Sequence, residues 1–132
     1  MDPNIWGPSG WLFLHTITLM YPENPNPIEQ KQYYDLFHSL QYTLPCPSCR
    51  EHYSESLKKF PIKLNTREEL VEWLVMIHNQ VNISDGKPEW TLDQFYRHYK
   101  KLYTQGNSCV VKLFIIFLLF CIIFYILMYY RS

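Results

Sequence analysis

Apolar residues recur every three or four positions through roughly the first 100 residues, which is the spacing of one face of an α-helix. In the first segment, Trp11, Leu14, His15 and Thr18 fall on a single helical face. No segment alternates between apolar and polar residues with a period of two, so the pattern predicts no strands. It predicts an all-α fold, most simply a small four-helix bundle with a short fifth helix.

Prolines and capping residues set the limits of the predicted helices. Asn26 can cap a helix that begins at Pro27, because proline suits the first helical position. Pro47 is suited to the same position, and capping-box sequences begin at Thr66 and Thr91. We therefore expect helices over residues 8–21, 27–44, 47–60, 67–81 and 92–103.

The last segment is unlike the rest, because Leu113 to Tyr130 contains no charged side chain. A helix of about 18 to 22 residues can cross a hydrocarbon core of ~30 Å. The segment therefore predicts a single transmembrane helix at residues 109–130, which follows a folded domain at residues 1–106.

The charges that flank this apolar segment predict its orientation. Arg97, Lys100, Lys101 and Lys112 precede it, whereas only Arg131 follows it. By the positive-inside rule, we expect the domain on the cytoplasmic side of a host or virion membrane, held by a C-terminal anchor. The N-terminus has no basic region followed by an apolar stretch, so we expect no cleavable signal.

Composition narrows the classes of function. The chain has 12 basic and 12 acidic residues, and no stretch concentrates Lys and Arg among aromatic residues, which disfavours nucleic-acid binding. The 11 Tyr, 8 Phe and 4 Trp in 132 residues allow two interpretations. The rings fill the core of a small domain, or some of them wall a flat cofactor.

The sequence Cys46-Pro47-Ser48-Cys49 is the strongest candidate for chemistry. The proline biases Cys46 toward an extended conformation, so we expect Cys46 at the cap of a helix and Cys49 in its first turn. The positive end of the helix dipole favours a thiolate there, as thiol–disulfide exchange requires. A thioredoxin-like protein is disfavoured, since the residues before Cys46 are helical and not a strand.

The same cysteines could instead hold zinc. His52 continues the spacing as a third ligand, and His78 or His98 would have to complete the site. The chain has no second C-x-x-C and no pair of closely spaced histidines, so spacing alone leaves the redox and zinc hypotheses open.

The fourth predicted helix carries two amides, Asn79 and Asn82, on a largely apolar segment. Buried amides need hydrogen-bond partners, and a polar ligand in a mainly apolar cavity would supply them.

Three motifs stand in order along the chain. They are residues 6–15 (WGPSGWLFLH), the C-x-x-C pair with His52, and Trp73 followed by residues 78–82 (HNQVN), with Lys87-Pro88 and Trp90 after them. Their order and spacing resemble the Erv/ALR family of FAD-dependent sulfhydryl oxidases, most closely its short members from large DNA viruses.

This resemblance implies a helical bundle that binds FAD and acts as a homodimer. Electrons would pass from protein thiols, directly or through a thioredoxin-like carrier, to Cys46 and Cys49, then through FAD to O2, giving H2O2. No metal is implied. The residues expected to contact FAD are Gly7, Trp11, His15, Tyr21, His52, His78, Asn79, Val81, Asn82, Lys87 and Trp90.

The chain departs from the family pattern in its other cysteines. Many relatives carry a distal shuttle disulfide, whereas here Cys109 stands alone beside the apolar segment and Cys121 lies within it. We favour direct attack of the substrate on Cys46, here taken as the more exposed sulfur, over a shuttle through Cys109 of a partner subunit. The rival hypothesis for the whole chain is a tail-anchored adaptor with a C-x-x-C/His zinc site.

Overall fold

The computed structural model describes residues 1–131, and residues 105–110 by their backbone alone. Within that range the chain is helical, with no strand, which confirms the predicted all-α class. The elements are α1 (Pro3–Leu19), α2 (Pro27–Thr43), α3 (Pro47–Lys59), α4 (Arg67–Ser84) and α5 (Leu92–Arg131).

Local capping chemistry explains where these helices begin. The Asn26 side chain accepts the backbone N–H groups of Ile28 and Glu29 at the start of α2, as predicted. Thr66 caps α4 by accepting the Glu69 N–H at 3.2 Å. The predicted capping box is only half formed, since the Glu69 carboxylate accepts the N–H of Asn65 and not that of Thr66.

The first helix begins five residues earlier than predicted. The Asp2 carboxylate accepts the Asn4 N–H at 2.9 Å, and Pro3 occupies the first helical position. Pro8, which was expected to start the helix, lies inside it. The Asp-Pro pair carries the same signal as Asn26-Pro27, so the true start was readable from the sequence.

The core of residues 1–92 lies between two helix pairs, because α1 packs on α4 and α2 packs on α3. Its buried centre is aromatic and aliphatic, and its large rings satisfy their polar atoms. The Trp73 indole donates to the Phe60 carbonyl, and the Tyr53 hydroxyl donates to the Phe37 carbonyl, both at 2.9 Å. The cluster comprises Tyr21, Phe37, Tyr53, Leu70, Trp73, Leu74 and Ile77.

The fifth helix and the apolar segment form one continuous helix of 40 residues, whereas the pattern predicted a short helix and a separate anchor. No proline follows Pro88, so no residue interrupts the backbone hydrogen-bond ladder. Residues 1–92 form one compact unit, and a second begins at Asp93. In the second unit, Val111–Arg131 is long and apolar enough to cross a membrane, with a mean hydropathy of 2.9 and no buried residues.

Candidate active site

Cys46 and Cys49 form a disulfide at the N-terminus of α3, with their Cα atoms 5.1 Å apart. Cys46 is the cap residue and is extended (φ −112°, ψ 123°), as its position before Pro47 predicted. Its Sγ accepts the Cys49 N–H at 3.3 Å and lies 3.1 Å from the Ser48 hydroxyl. The sulfur therefore accepts a hydrogen bond from an N–H group that has no carbonyl partner within the helix.

Arg50 holds the segment of chain that leads into the disulfide, and no sequence motif had marked it as a site residue. Its Nη1 donates to the Leu44 carbonyl at 2.6 Å, which ties the chain before Cys46 to the first turn of α3. A cation is disfavoured near a helix N-terminus, so an arginine there needs a compensating partner, and this was the available signal.

The exposure of the two cysteines is the reverse of what was expected. Cys46 is 7% exposed, whereas Cys49 is half-buried. The cap geometry explains this difference, because the Cys46 sulfur turns inward over the backbone of the first turn of α3.

Three aromatic side chains from α1 and α4 form a second constellation, the Trp11–His15–His78 cluster. The Trp11 and His78 rings are stacked with centroids 3.9 Å apart and planes 8° from parallel. His15 Nε2 lies 3.0 Å from His78 Nδ1, so one imidazole donates a hydrogen bond to the other. The i and i+4 placement of Trp11 and His15 on α1 produces this arrangement.

Both histidines of the cluster are neutral near pH 7. Burial lowers the pKa of His15 to about 3, with a further contribution from nearby His78. Burial also lowers the pKa of His78 to about 4, and the positive charge of Lys87 adds to that effect. A neutral imidazole has one donor and one acceptor nitrogen, which is what the His15–His78 hydrogen bond requires.

Gly7, on α1 near the cluster in sequence, borders open space. A Cβ added there would meet no atom within 4 Å, so packing within the chain does not require a glycine. Two other predicted cofactor residues, Val81 and Lys87, are exposed, and Lys87 pairs with Asp85 at 2.8 Å.

The amides of α4 find their partners within the protein. The Asn79 side chain donates to the Trp90 carbonyl and accepts the Trp90 N–H, each at 2.9 Å. Asn82 donates to the Asn79 oxygen at 3.4 Å. Both amides are buried as expected. The Trp90 main chain supplies hydrogen-bond partners to Asn79 within the protein, and contact of the two amides with FAD stays a prediction. Trp90 itself is half-buried and lines a groove of about 340 Å³ beside Val75 and Met76.

Two predicted residues are not part of the Trp11–His15–His78 cluster. Tyr21 is fully buried in the core, where its hydroxyl donates to the Leu64 carbonyl at 2.9 Å, so its side chain presents no surface to a ligand. His52 is exposed on α3, in the turn after Cys49.

The structure also bears on the zinc hypothesis and on the remaining two cysteines. Across the side chains that the structure describes, no group of three His, Cys, Asp or Glu is arranged to hold a metal ion. Cys121 is exposed on α5. The side chain of Cys109, the suggested shuttle thiol, lies outside the described residues.

A helical bundle with a C-x-x-C disulfide at one helix start, and a stacked indole and imidazole on two other helices, defines a class of small disulfide-containing helical proteins. Over residues 8–100 the chain matches the Erv1 / Alr family. It is 38% identical over 119 residues to the probable FAD-linked sulfhydryl oxidase R368 of Acanthamoeba polyphaga mimivirus, which covers 88% of this chain and 83% of that protein. The chain therefore belongs to the Erv1/Alr family, as the motifs predicted.

More distant relatives agree with this assignment. FAD-linked sulfhydryl oxidase ERV1 of Arabidopsis thaliana is 34% identical over 103 residues, and the match spans 78% of this chain but only 54% of that protein. The crystal structure of the FAD binding domain of Erv1 from Saccharomyces cerevisiae superposes with a TM-score of 0.72 at 25% identity, over 76% of this chain and 96% of that one. The helical fold is thus the family's fold.

Proposed function

We propose that this chain is an FAD-dependent thiol oxidase that makes disulfides in protein substrates: 2 R–SH + O2 → R–S–S–R + H2O2. The observation that carries the proposal is the Cys46–Cys49 disulfide at the N-terminus of α3, in a chain whose relatives bear the name FAD-linked sulfhydryl oxidase.

Several features of α1 and α4 fit FAD. Gly7 borders space that no atom of the chain fills, which suits the close approach of a ligand to the helix backbone. Trp11 and His78 present flat rings with apolar surface, and exposed Lys87 offers a positive charge to a diphosphate. His15 lies beneath His78 and fixes its orientation through the 3.0 Å hydrogen bond. Val81 and Asn82 lie on α4 and Trp90 follows it, and His52 lies on α3 in the turn after Cys49, whereas Tyr21 is buried in the core.

The thiol chemistry follows from the position of the two cysteines. A substrate thiolate attacks Cys46, the bond between Cys46 and Cys49 breaks, and Cys49 leaves as a thiolate. The first turn of α3 stabilises that negative charge through its dipole. A second substrate thiol then attacks the mixed disulfide, which releases the oxidised substrate and a reduced Cys46.

Re-oxidation completes the cycle. When bound, FAD accepts two electrons from the dithiol and passes them to O2. The electron pair leaves through Cys49 as the Cys46–Cys49 bond re-forms. We assign Cys46 to the substrate and Cys49 to the cofactor from the order of the two cysteines that the family resemblance implies. In the structure Cys46 is 7% exposed and Cys49 is half-buried.

Direct attack by the substrate is favoured over a shuttle through Cys109 of a second subunit in a homodimer. A single cysteine cannot form the intramolecular disulfide that a shuttle pair carries, and Cys121 lies in the apolar segment. Cys109→Ser should therefore leave the oxidation of dithiothreitol and of a reduced protein substrate intact. Loss of the protein substrate's oxidation alone would support the shuttle.

The segment Val111–Arg131 suits a membrane anchor by its length and hydropathy. The lysines and arginines before it favour a cytoplasmic domain. A disulfide-forming enzyme in that compartment has to act against the reducing glutathione pool, and a flavin that delivers electrons to O2 provides the driving force.

Flavin and zinc content discriminate this function from the adaptor hypothesis. The full chain, purified in mild detergent, should be yellow, release stoichiometric FAD on denaturation and contain no zinc. Trp11→Ala, which removes one ring of the cluster, should lower the FAD content. Stoichiometric zinc without flavin would reverse the assignment in favour of the adaptor.

A further inference from the structure

The segment between α4 and α5, residues 85–91, carries two of the predicted cofactor residues, Lys87 and Trp90. A loop of this kind orders itself poorly unless its backbone is tied down. Here both of its ends are held by α4.

The start of the loop is held by a helix C-terminal motif. Gly86 adopts a left-handed conformation (φ 67°), its N–H donates to the Ile83 carbonyl at 3.1 Å, and the Lys87 N–H donates to the Asn82 carbonyl at 2.8 Å. This pair of bonds is the Schellman motif, which a glycine adopts without steric cost. It sets the direction in which Lys87 leaves the helix.

The end of the loop is held by a side chain. Asn79 holds the Trp90 backbone on both sides of its Cα, because its Nδ2 donates to the Trp90 carbonyl and its Oδ1 accepts the Trp90 N–H, both at 2.9 Å. Asn82 donates to the same Oδ1 at 3.4 Å, which helps to fix the amide's orientation. Asn79 is 9% exposed, so water does not readily replace these bonds.

We propose that Asn79 is a positioning residue that holds Trp90 in place for FAD and does not itself bind the cofactor. The inference rests on the proposed function, since it assumes that FAD binds beside Trp90. A side-chain amide offers a donor and an acceptor in one plane, which matches the C=O and N–H groups of a single residue. Trp90 engages both the Nδ2 and the Oδ1 of Asn79, which ties the amide to the loop.

A double-mutant cycle on FAD affinity separates positioning from direct contact. In the flavin-stripped full chain in detergent, Asn79→Leu should weaken FAD binding by about ten- to a hundredfold, as expected when a buried hydrogen-bonded group loses its partner. Trp90→Ala should weaken it as well. The double variant should bind FAD within about twofold of Trp90→Ala alone, because Asn79 acts through the Trp90 ring.

A second readout needs no flavin. Hydrogen exchange of the Trp90 amide should be at least about tenfold faster in Asn79→Leu than in the native chain, since the Asn79 Oδ1 acceptor is gone. Asn79→Asp retains that acceptor and should protect the amide, although it no longer donates to the Trp90 carbonyl. If Asn79→Leu does not fold, Asn79→Asp supplies the cycle. Gln32→Leu, which removes an exposed amide on α2, is the matched control and should leave both readouts at their native values.

The outcomes are distinct. If Asn79→Leu and Trp90→Ala weaken FAD binding additively, Asn79 contacts FAD directly and the positioning role is wrong while the proposed function stands. Unchanged exchange of the Trp90 amide in Asn79→Leu also overturns the role. If the native chain binds no FAD at all, the proposed function fails and the inference falls with it.

Discussion

At the scale of single residues, the two imidazoles of the Trp11–His15–His78 cluster are the most unusual groups in the protein. Each is largely withdrawn from water, and each is held neutral well below the pH at which a free histidine takes up a proton. Charging one ring would place a cation in a buried site, and charging both would leave the hydrogen bond between them without an acceptor. The cluster therefore ties the packing of α1 against α4 to pH.

The direction of that dependence follows from the pKa values. His78 (pKa about 4) and His15 (pKa about 3) lie below the value of 6.5 for an exposed histidine. As the pH falls from 6.5 toward 4, the unfolded chain binds protons that the folded chain does not. The stability that the neutral rings contribute is fully present above pH 6.5 and is lost below it, by roughly 1 kcal/mol or more at pH 5.

The measurement is thermal unfolding of the full chain in detergent, followed by near-ultraviolet circular dichroism at pH 7 and pH 5. His78→Gln should be less stable than the native chain at pH 7 but should lose less stability between the two pH values. His52→Gln, a change at an exposed position, should follow the native profile. A native pH dependence in His78→Gln would contradict the account.

Predictability from sequence differs among these residues. Cys46 could be placed at a helix cap because the following proline acts locally on its backbone. The burial of Asn79 was also foreseen from its apolar neighbours. Its partner was not, because the path of the 85–91 loop brings the Trp90 backbone to it, and no spacing rule encodes that path.

At the scale of elements, the starts of the helices could be predicted from local capping residues, whereas contacts between residues far apart in sequence could not. Asn26-Pro27 predicted the start of α2, and the Asp2-Pro3 pair indicates the start of α1 equally well. The continuity of α5 was not predicted. A change in composition near residue 110 was interpreted as a boundary, yet a helix is broken by residues that interrupt its hydrogen bonds and not by a change in polarity.

The α1 helix gives the sharpest prediction at this scale, because Gly7→Ala should separate fold stability from cofactor binding. Alanine in a helix interior is about 0.5–1 kcal/mol more favourable than glycine, and the new methyl meets no atom of the chain. The flavin-free chain should therefore unfold at a higher temperature. FAD should bind more weakly, because the methyl occupies space that the cofactor needs.

Gly86→Ala is the matched control, with a different pattern. Gly86 has a positive φ of 67°, so alanine there should cost about 1 kcal/mol of stability even without a clash. Thermal unfolding and FAD titration of the two variants distinguish the roles. A Gly7→Ala chain that binds FAD as tightly as the native chain would remove Gly7 from the proposed site.

At the scale of the whole molecule, the length and hydropathy of Val111–Arg131 predict a membrane anchor. The basic residues before it predict that Cys46 and Cys49 lie on the cytoplasmic side. In microsomes, protease added outside should degrade the domain that contains Cys46 and Cys49. A glycosylation sequence appended after Ser132 should be modified, because it reaches the lumen. Protection of the domain, with no glycosylation of the appended sequence, would indicate the opposite orientation.

In the proposed cycle, electrons enter at Cys46, leave through Cys49 and reach O2. Oxygen consumption by the full chain in detergent, with dithiothreitol as the thiol, tests this most directly. The native chain and Cys121→Ser should consume O2 and release an equimolar amount of H2O2. Cys46→Ser and Cys49→Ser should retain bound FAD but fall to the rate of free flavin. Near-native turnover in either of these two variants would contradict the central claim.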